Sequence, residues 1–335
     1  LTTSIGQTGL SVPALGFGAA SVGNLYRAMS DEAAGATLRS ALDGGIALFD
    51  TAPHYGQGLS ERRVGAAIAG RDVVLSTKAG RVLKPITPPG PGTERHGFVD
   101  GDPYEPEFDY SYDGVMRSFG DSRRRLGDAA VHILLAHDLG QVTHGDDHPR
   151  HMKAFLDGGY KAMRELKDGG QVRAIGLGVN EWQICEQVLG HADLDVVLLA
   201  GRYTLLEQTA LTSFLPLCQQ RSVAVLAAGV FNSGILSGGL AYNYAPAPDS
   251  IQARVQALKA VCDSHDVPLA AAALQFSLAH PVVASAIVGM ASPAEVAQNL
   301  EWFERPIPTG LWSDLKAENL LPEFAPTPVP EKVHT

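Results

Sequence analysis

The chain has 335 residues, 45% of them hydrophobic and 19% charged, which is material for a sizeable core and excludes disorder or a fibre. Its 26 basic and 36 acidic side chains leave −10, and the acids are spread rather than blocked, so a nucleic-acid partner is not expected. Cys185, Cys218 and Cys262 show no paired spacing, no run of about eighteen apolar residues occurs, and residues 1–9 carry no leader pattern; a reducing cytoplasmic setting with no membrane partner is expected.

Residues 14–17 read as a short first strand before a loop at 18–24. Ala34, Leu38 and Leu42 repeat at four and predict a helix stopped by Gly44-Gly45. Strands follow at 46–49 and 73–76. The segment 81–112 then breaks the rhythm: its prolines at 85, 88, 89, 91, 103 and 106 exclude an ordinary helix, and its place directly after a strand makes it a long active-site loop. Further strands are expected at 131–135 and 173–177, with Met163 and Leu166 marking a helix between them. His144, His148 and His151 fall in a Gly/Asp/Pro-rich stretch that reads as a solvated loop. Strands at 196–199, 223–227 and 284–288 complete the set. Ile251, Val255, Leu258 and Cys262 form a helical stripe, and Pro268 and Pro293 sit where helices begin. Residues 303–335 read as a proline-rich loop and tail able to fold back over the mouth.

Most of these strands are apolar on consecutive residues, the pattern of a parallel sheet covered on both faces. Eight strands alternating with helices predict an α/β fold, a (β/α)8 TIM barrel with long strand-end loops. The rival doubly wound sheet lacks its glycine fingerprint here. No linker divides the chain, so 1–335 reads as one domain.

Asp50, Tyr55, Lys78 and His137 fall at or just beyond three strand ends, which a barrel gathers on one face. Each alone has a structural explanation: a turn cap, a packed ring, a surface lysine, a histidine bonded to backbone. Together they have a chemical logic. A lysine ammonium beside a tyrosine favours the phenolate, an aspartate holds the lysine, and a neutral histidine donates to a substrate oxygen. That is a proton-transfer centre for carbonyl reduction or alcohol oxidation, with the hydride passing to a separate carrier.

The motifs Ala14-Leu15-Gly16-Phe17-Gly18, Phe49-Asp50-Thr51-Ala52 with Tyr55-Gly56, Ser76-Thr77-Lys78 and Leu134-Leu135-Ala136-His137-Asp138 occur in that order. Later come Ile175-Gly176 through Asn180, Ser233-Gly234-Ile235-Leu236 and Ile287-Val288-Gly289 through Asn299. In these the chain resembles the aldo-keto reductase family. The resemblance implies a barrel with an N-terminal β-hairpin and a catalytic tetrad of Asp50, Tyr55, Lys78 and His137, with Tyr55 as acid or base. It also implies a nicotinamide cofactor held by Asn180, by Phe231, Ser233, Gly234 and Leu236, and by Gly289, Met290, Glu295, Gln298 and Asn299. Val179, Ala200 and Ala228 stand where relatives often carry serine, glutamine and an aromatic, and Phe231 is placed to replace the last.

The segment Gly289–Glu295 has no basic side chain, and Glu295 stands where an arginine often reads the extra phosphate of NADP. A carboxylate repels that phosphate and accepts from a free ribose hydroxyl, so NAD is expected over NADP. The motifs around His137 and Phe231 are similar to the branch of aldose 1-dehydrogenases of the D-threo-aldose or L-fucose type and of pyridoxal 4-dehydrogenases. A small-molecule substrate, an aldose or pyridoxal, is thus implied, with the aldose favoured. Its wall is expected from Tyr26, Trp182, Tyr55 and His137, together with the 81–112 loop and the residues after Ala136. No His/Cys/Glu spacing calls for a metal. A non-enzymatic nicotinamide-binding partner protein would not need the intact tetrad, and a glycoside hydrolase would want two opposed carboxylates. The oligomeric state is not legible, monomer being the family's default.

Overall fold

In the computed structural model, which describes residues 2–329, eight parallel strands close into a barrel. They are β1 (Leu15–Gly18), β2 (Leu48–Asp50), β3 (Val74–Ala79), β4 (Ile133–His137), β5 (Ala174–Val179), β6 (Val196–Ala200), β7 (Ala224–Ala228) and β8 (Val283–Gly289). Each pairs with its successor, and β8 returns to β1. Parallel neighbours need long crossovers, and helices supply them. The helices are α1 (Asp31–Asp43), α2 (Leu59–Ile68), α3 (Tyr112–Leu126), α4 (Tyr160–Asp168), α5 (Gln183–Leu189), α6 (Phe214–Arg221), α7 (Asp249–Ser264), α8 (Leu269–Ser277) and α9 (Pro293–Glu304). The (β/α)8 barrel expected from the sequence is therefore the one observed. Its N-terminal hairpin pairs Thr2–Ser4 with Ser11–Pro13 and packs Ile5, Leu10 and Val12 among the inward side chains of the strands.

Two-sided burial explains the apolar runs. Ile133 and Leu135 belong to the interior cluster, whereas Leu134 and Ala136 pack in the outer cluster with the helices. The period of two then carries polar side chains inward at the mouth. Asp50 follows inward Leu48, Lys78 alternates against outward Leu75, and His137 follows inward Ile133 and Leu135. Every strand ends later than the apolar run that predicts it. Asp50, Lys78 and His137 are ladder residues, and counting apolar residues stops short of them.

The segment 81–112 is more ordered than its prolines imply. Arg81–Pro85 pairs antiparallel with Tyr104–Phe108, and Glu94–Arg95 with Phe98–Val99, after which α3 begins at Tyr112. Arg95 fastens this double ribbon to the turn that carries Tyr55. It donates to the carbonyls of Tyr104 (2.5 Å) and Asp102 (2.6 Å) and to Gln57 Oε1 (3.2 Å), and Gln57 donates back to the Arg95 carbonyl (3.3 Å). Arg95→Ala should unfasten it: limited proteolysis within 86–103 is expected to run about tenfold faster than in the parent.

Two other expectations are corrected. The stretch holding His144, His148 and His151 is mostly helical, with turns at Gln141–His144 and His148–Ala154. His144 stacks on His151 at 4.0 Å and takes part in a 3.0 Å hydrogen bond with the Tyr110 hydroxyl, while His148 bonds the Leu139 carbonyl at 3.2 Å, so these are packed rather than solvated rings. The proline-rich C-terminal segment contains α10 (Thr309–Ala317), which buries Leu311, Trp312 and Leu315 in the outer cluster. The Leu320 carbonyl accepts from Arg254 of α7 at 2.7 Å, and no residue of 303–329 lines the mouth. Apolar side chains in helical spacing outweigh the prolines that flank them. The expected tail beyond 329 lies outside the described residues. No helix among the described residues is long and apolar enough to cross a membrane.

Candidate active site

Three neighbouring strands bring Asp50, Lys78 and His137 together. In register, Asp50 faces Ser76, Lys78 faces Leu135, and His137 faces Gly178. Lys78 Nζ lies 2.6 Å from Asp50 Oδ2 and donates to the Thr51 carbonyl at 2.9 Å, while Ser76 donates to Asp50 Oδ1 at 2.9 Å. Gly178 leaves room for the lysine, since a Cβ there would stand 3.1 Å from Lys78 Cε. Tyr55 arrives on the turn after β2. There Gly56 has φ +61, and a Cβ on it would meet the Gly23 carbonyl oxygen at 2.4 Å, so the Tyr-Gly pair has a steric cause. Lys78 Nζ stands 4.7 Å from the Tyr55 ring centroid, and the His137 ring is edge-on to Tyr55 at 5.9 Å. The four residues predicted from sequence share one site.

Their protonation follows from burial and charge. Burial would lower Lys78, but Asp50 and Tyr55 outweigh it and hold the ammonium above the ordinary lysine range. Burial, then Arg81 and Lys78, push His137 well below the usual histidine range, so it is a neutral imidazole. Tyr55 reverses an expectation. Lys78 does favour its phenolate, but burial acts the other way and wins, so the hydroxyl titrates above its ordinary value of 10.0. Near neutral pH Tyr55 is a phenol, ready as an acid and scarce as a base. Oxidation needs the base. Its kcat/KM should therefore rise about tenfold per pH unit from pH 7 towards 10, while reduction stays level over that window, as rate profiles in both directions would check.

The tetrad opens into a cleft of ≈ 510 Å³ lined also by Tyr26, His54, His96, Phe98, Asp138, Asn180, Ala228 and Tyr244. Trp182 is not among the lining residues; its indole N–H donates to Thr209 Oγ1 at 3.3 Å. Five of the lining residues had no individual assignment in the sequence, although His96, Phe98 and Asp138 fall in segments expected to form the wall. His54 packs edge-on to Phe98 (5.4 Å) and His137 (6.0 Å), and burial with Arg81 and His137 pushes it down to about 2. His96 and Phe98 come from the ribbon over 94–99, whose fold the prolines hide. Asp138 turns into the cleft at φ +51. Tyr244 comes from the loop after β7, where nothing local marks it.

A second cavity of ≈ 470 Å³ continues the cleft, sharing Leu25, Tyr26, Gly229, Tyr244, Ile287 and Gly289 with it. Phe231, Ser233 and Gly234 line this second part, as the resemblance implies. Phe231 sits edge-on to Trp302 at 5.7 Å and does not line the catalytic end, so it does not replace the aromatic missing at Ala228; Tyr26 and Tyr244 are the rings lining both parts. Met290 and Leu236 are buried in the outer cluster and offer no side chain to the groove. Gln298 is exposed on α9. Glu295 serves as a helix cap: its Oε2 accepts from Ala291 N–H (2.8 Å), while its own N–H donates to Ser292 Oγ (3.2 Å). Asn299 donates to the Glu295 carbonyl at 2.8 Å, and its Oδ1 is buried without a partner. A basic side chain does reach this end, from the other wall: Arg27 Nη2 lies 3.8 Å from Glu295 Oε1. A long two-part groove with one arginine and an unsatisfied buried amide oxygen nearby fits a dinucleotide.

A barrel mouth with a buried Asp–Lys pair set against a tyrosine and a neutral histidine has the proton chemistry of a carbonyl or alcohol oxidoreductase. The comparisons agree. The chain matches the model of the aldo/keto reductase family over residues 14–319. It is 46% identical over 334 residues to a pyridoxal 4-dehydrogenase of Microbacterium luteolum, covering 95% of this chain and 97% of that one. It is 41% identical over 326 residues to a D-threo-aldose 1-dehydrogenase of Pseudomonas sp, covering 94% and 96%. The holo form of an aldo-keto reductase from Bacillus halodurans superposes with a TM-score of 0.75 at 25% identity, covering 99% and 98%. The chain belongs to the aldo/keto reductase family. It is an oxidoreductase whose chemistry uses a nicotinamide cofactor.

Proposed function

We propose that this protein oxidises a neutral cyclic hemiacetal to a lactone with NAD, its substrate being an aldose of the L-fucose or D-threo type attacked at C1. What carries this reading is the lining of the cleft. Lys78 is its one lysine or arginine among the described residues, and Asp50 already neutralises it. Such a wall offers no counter-charge to a phosphorylated or carboxylated substrate. The neutral imidazoles of His54 and His137 can each offer Nε2 to a hydroxyl, their Nδ1 atoms being buried.

The chain's own residues divide the work. Tyr55, once deprotonated, takes the proton of the hemiacetal hydroxyl, and the Lys78 ammonium beside it stabilises the phenolate until then. Asp50 keeps Lys78 charged and in place. His137, neutral, donates to the oxygen without carrying its proton away. Asn180, Ser233, Gly234 and Gly289 would hold the dinucleotide, Tyr244 and Tyr26 flanking it at the junction of the two cavities. The bound nicotinamide supplies the hydride acceptor for the hydrogen on the reacting carbon. Glu295 favours NAD because a 2′-phosphate beside it would be repelled, and the mostly exposed Arg27 is a weak offset.

Oxidation of pyridoxal through its cyclic hemiacetal to 4-pyridoxolactone is the second reading. It is favoured by the higher identity to the pyridoxal 4-dehydrogenase and by the aromatic wall of His54, His96 and Phe98. Reduced-cofactor formation with NAD or NADP against L-fucose, D-arabinose and pyridoxal tests both. Turnover of L-fucose with NAD is expected. A rate confined to pyridoxal would move the assignment to the second reading, and a preference for NADP would overturn the role given to Glu295.

A further inference from the structure

Asp138 lies in the cleft wall and has no part in the proton transfer described above. Strand β4 ends at His137, and the next residue turns left-handed at φ +51, a conformation that aspartate tolerates better than most side chains. Its backbone is held on both sides of that turn: the N–H donates to the Gly178 carbonyl at 2.9 Å, and the carbonyl accepts from the Tyr110 hydroxyl at 3.1 Å. The side chain, 12% exposed, touches three different parts of the site. Oδ2 accepts from the Arg81 guanidinium at the root of the double ribbon and lies 3.5 Å from His137 Nε2. Oδ1 accepts from Asn180 Nδ2 at 3.3 Å.

We propose that Asp138 is a positioning residue that fixes the orientation of the Asn180 amide and the donor nitrogen of His137, and so aligns the cofactor-binding side of the cleft with the oxygen-binding side. A carboxylate only accepts hydrogen bonds. Asn180 must therefore turn its NH2 group to Asp138, which leaves Oδ1 on the side of the Tyr244 hydroxyl, 3.4 Å away. With Asp138 in place one end of the amide is committed, and the other is the end available to a ligand in the cleft. The same carboxylate favours the His137 tautomer with its proton on Nε2. Nδ1 is then a bare nitrogen, and it is buried with no partner, a position that would leave an N–H unsatisfied. Arg81 pairs with the Asp138 carboxylate and connects it to the ribbon above the cleft.

This rests on the proposed reading only in taking Asn180 to face a nicotinamide dinucleotide. The test is therefore NAD binding, followed by quenching of the protein's intrinsic fluorescence, alongside turnover. Asp138→Asn keeps the shape and tolerates the left-handed turn, but its amide can donate as well as accept, so Asn180 is free to flip. Asp138→Gly accepts the same φ and removes the side chain. Both variants should bind NAD about tenfold more weakly, the size expected for one lost charge-assisted hydrogen bond. In an Asn180→Ala background neither should weaken binding further, because the orientation being set no longer exists. Unchanged NAD affinity in both variants would overturn the inference. So would losses that multiply with that of Asn180→Ala, since a general loosening of the loop gives independent effects. A parent protein that binds NAD yet oxidises neither sugar nor pyridoxal would sink the function proposed above, and the binding comparison would still decide the role of Asp138.

Discussion

Tyr55→Phe should lower turnover about a thousandfold while leaving nucleotide affinity unchanged. The size follows from what the hydroxyl does alone. Neutral His137, depressed well below the histidine range, cannot take the substrate's proton and keep it, and Lys78 is held charged by Asp50, so neither replaces a lost phenol. The substitution is otherwise mild. The ring packs against Phe98 at 6.0 Å, against His137 at 5.9 Å and beneath the Lys78 ammonium, all contacts that phenylalanine keeps. The rise of oxidation with pH should vanish with the hydroxyl, because the titrating group is gone. Steady-state rates at pH 7 and pH 10, with nucleotide titrations beside them, check both halves. If the variant kept the parent's rate and its pH slope, the proton would be moving through another group and Tyr55 would have no acid–base role.

What the sequence disclosed of this site depended on how local the cause was. Asp50, Lys78 and His137 stand at the ends of apolar runs, and the barrel's period of two turns all three inward, so a pattern along the chain was enough. Tyr55 was legible through the glycine that follows it, whose close approach to Gly23 admits no side chain. Tyr244 was not legible, and Phe98 only as part of the 81–112 loop. Each reaches the cleft from a ribbon or loop whose path is set by contacts distant in sequence, such as Arg95 with Gln57 or the Tyr244 N–H donating to Ser233 Oγ at 3.0 Å. The missing base at the ribose end illustrates the same point. Arg27 lies more than two hundred residues before Glu295, and only the closure of β8 onto β1 makes them neighbours. Trp182 failed in the opposite way: it follows a strand end closely, but the turn after β5 directs its indole to Thr209 rather than into the cleft.

Lys78→Met should have a large effect of a different kind, on stability as well as on rate. The Lys78–Asp50 pair is almost wholly buried, with side chains 1% and 4% exposed and 2.6 Å apart. Removing the cation strands a carboxylate whose remaining side-chain partner is Ser76, and breaking a buried pair from one side costs about 3–5 kcal/mol. The variant should melt well below the parent. Its turnover should also fall by about 100-fold or more, since Tyr55 then has burial pushing its proton affinity up and no charge pulling it down. Adding Asp50→Asn separates the two effects. With neither charge left to desolvate, the double variant should recover most of the lost melting temperature, because replacing both partners of a buried pair is often close to neutral. It should recover none of the activity, since the phenolate still lacks its counter-charge. Calorimetry and rates on the parent, the single variant and the double variant decide it. A double variant that regained turnover together with stability would mean that Lys78 and Asp50 only support the fold, and that Tyr55 draws its reactivity from elsewhere in the cleft.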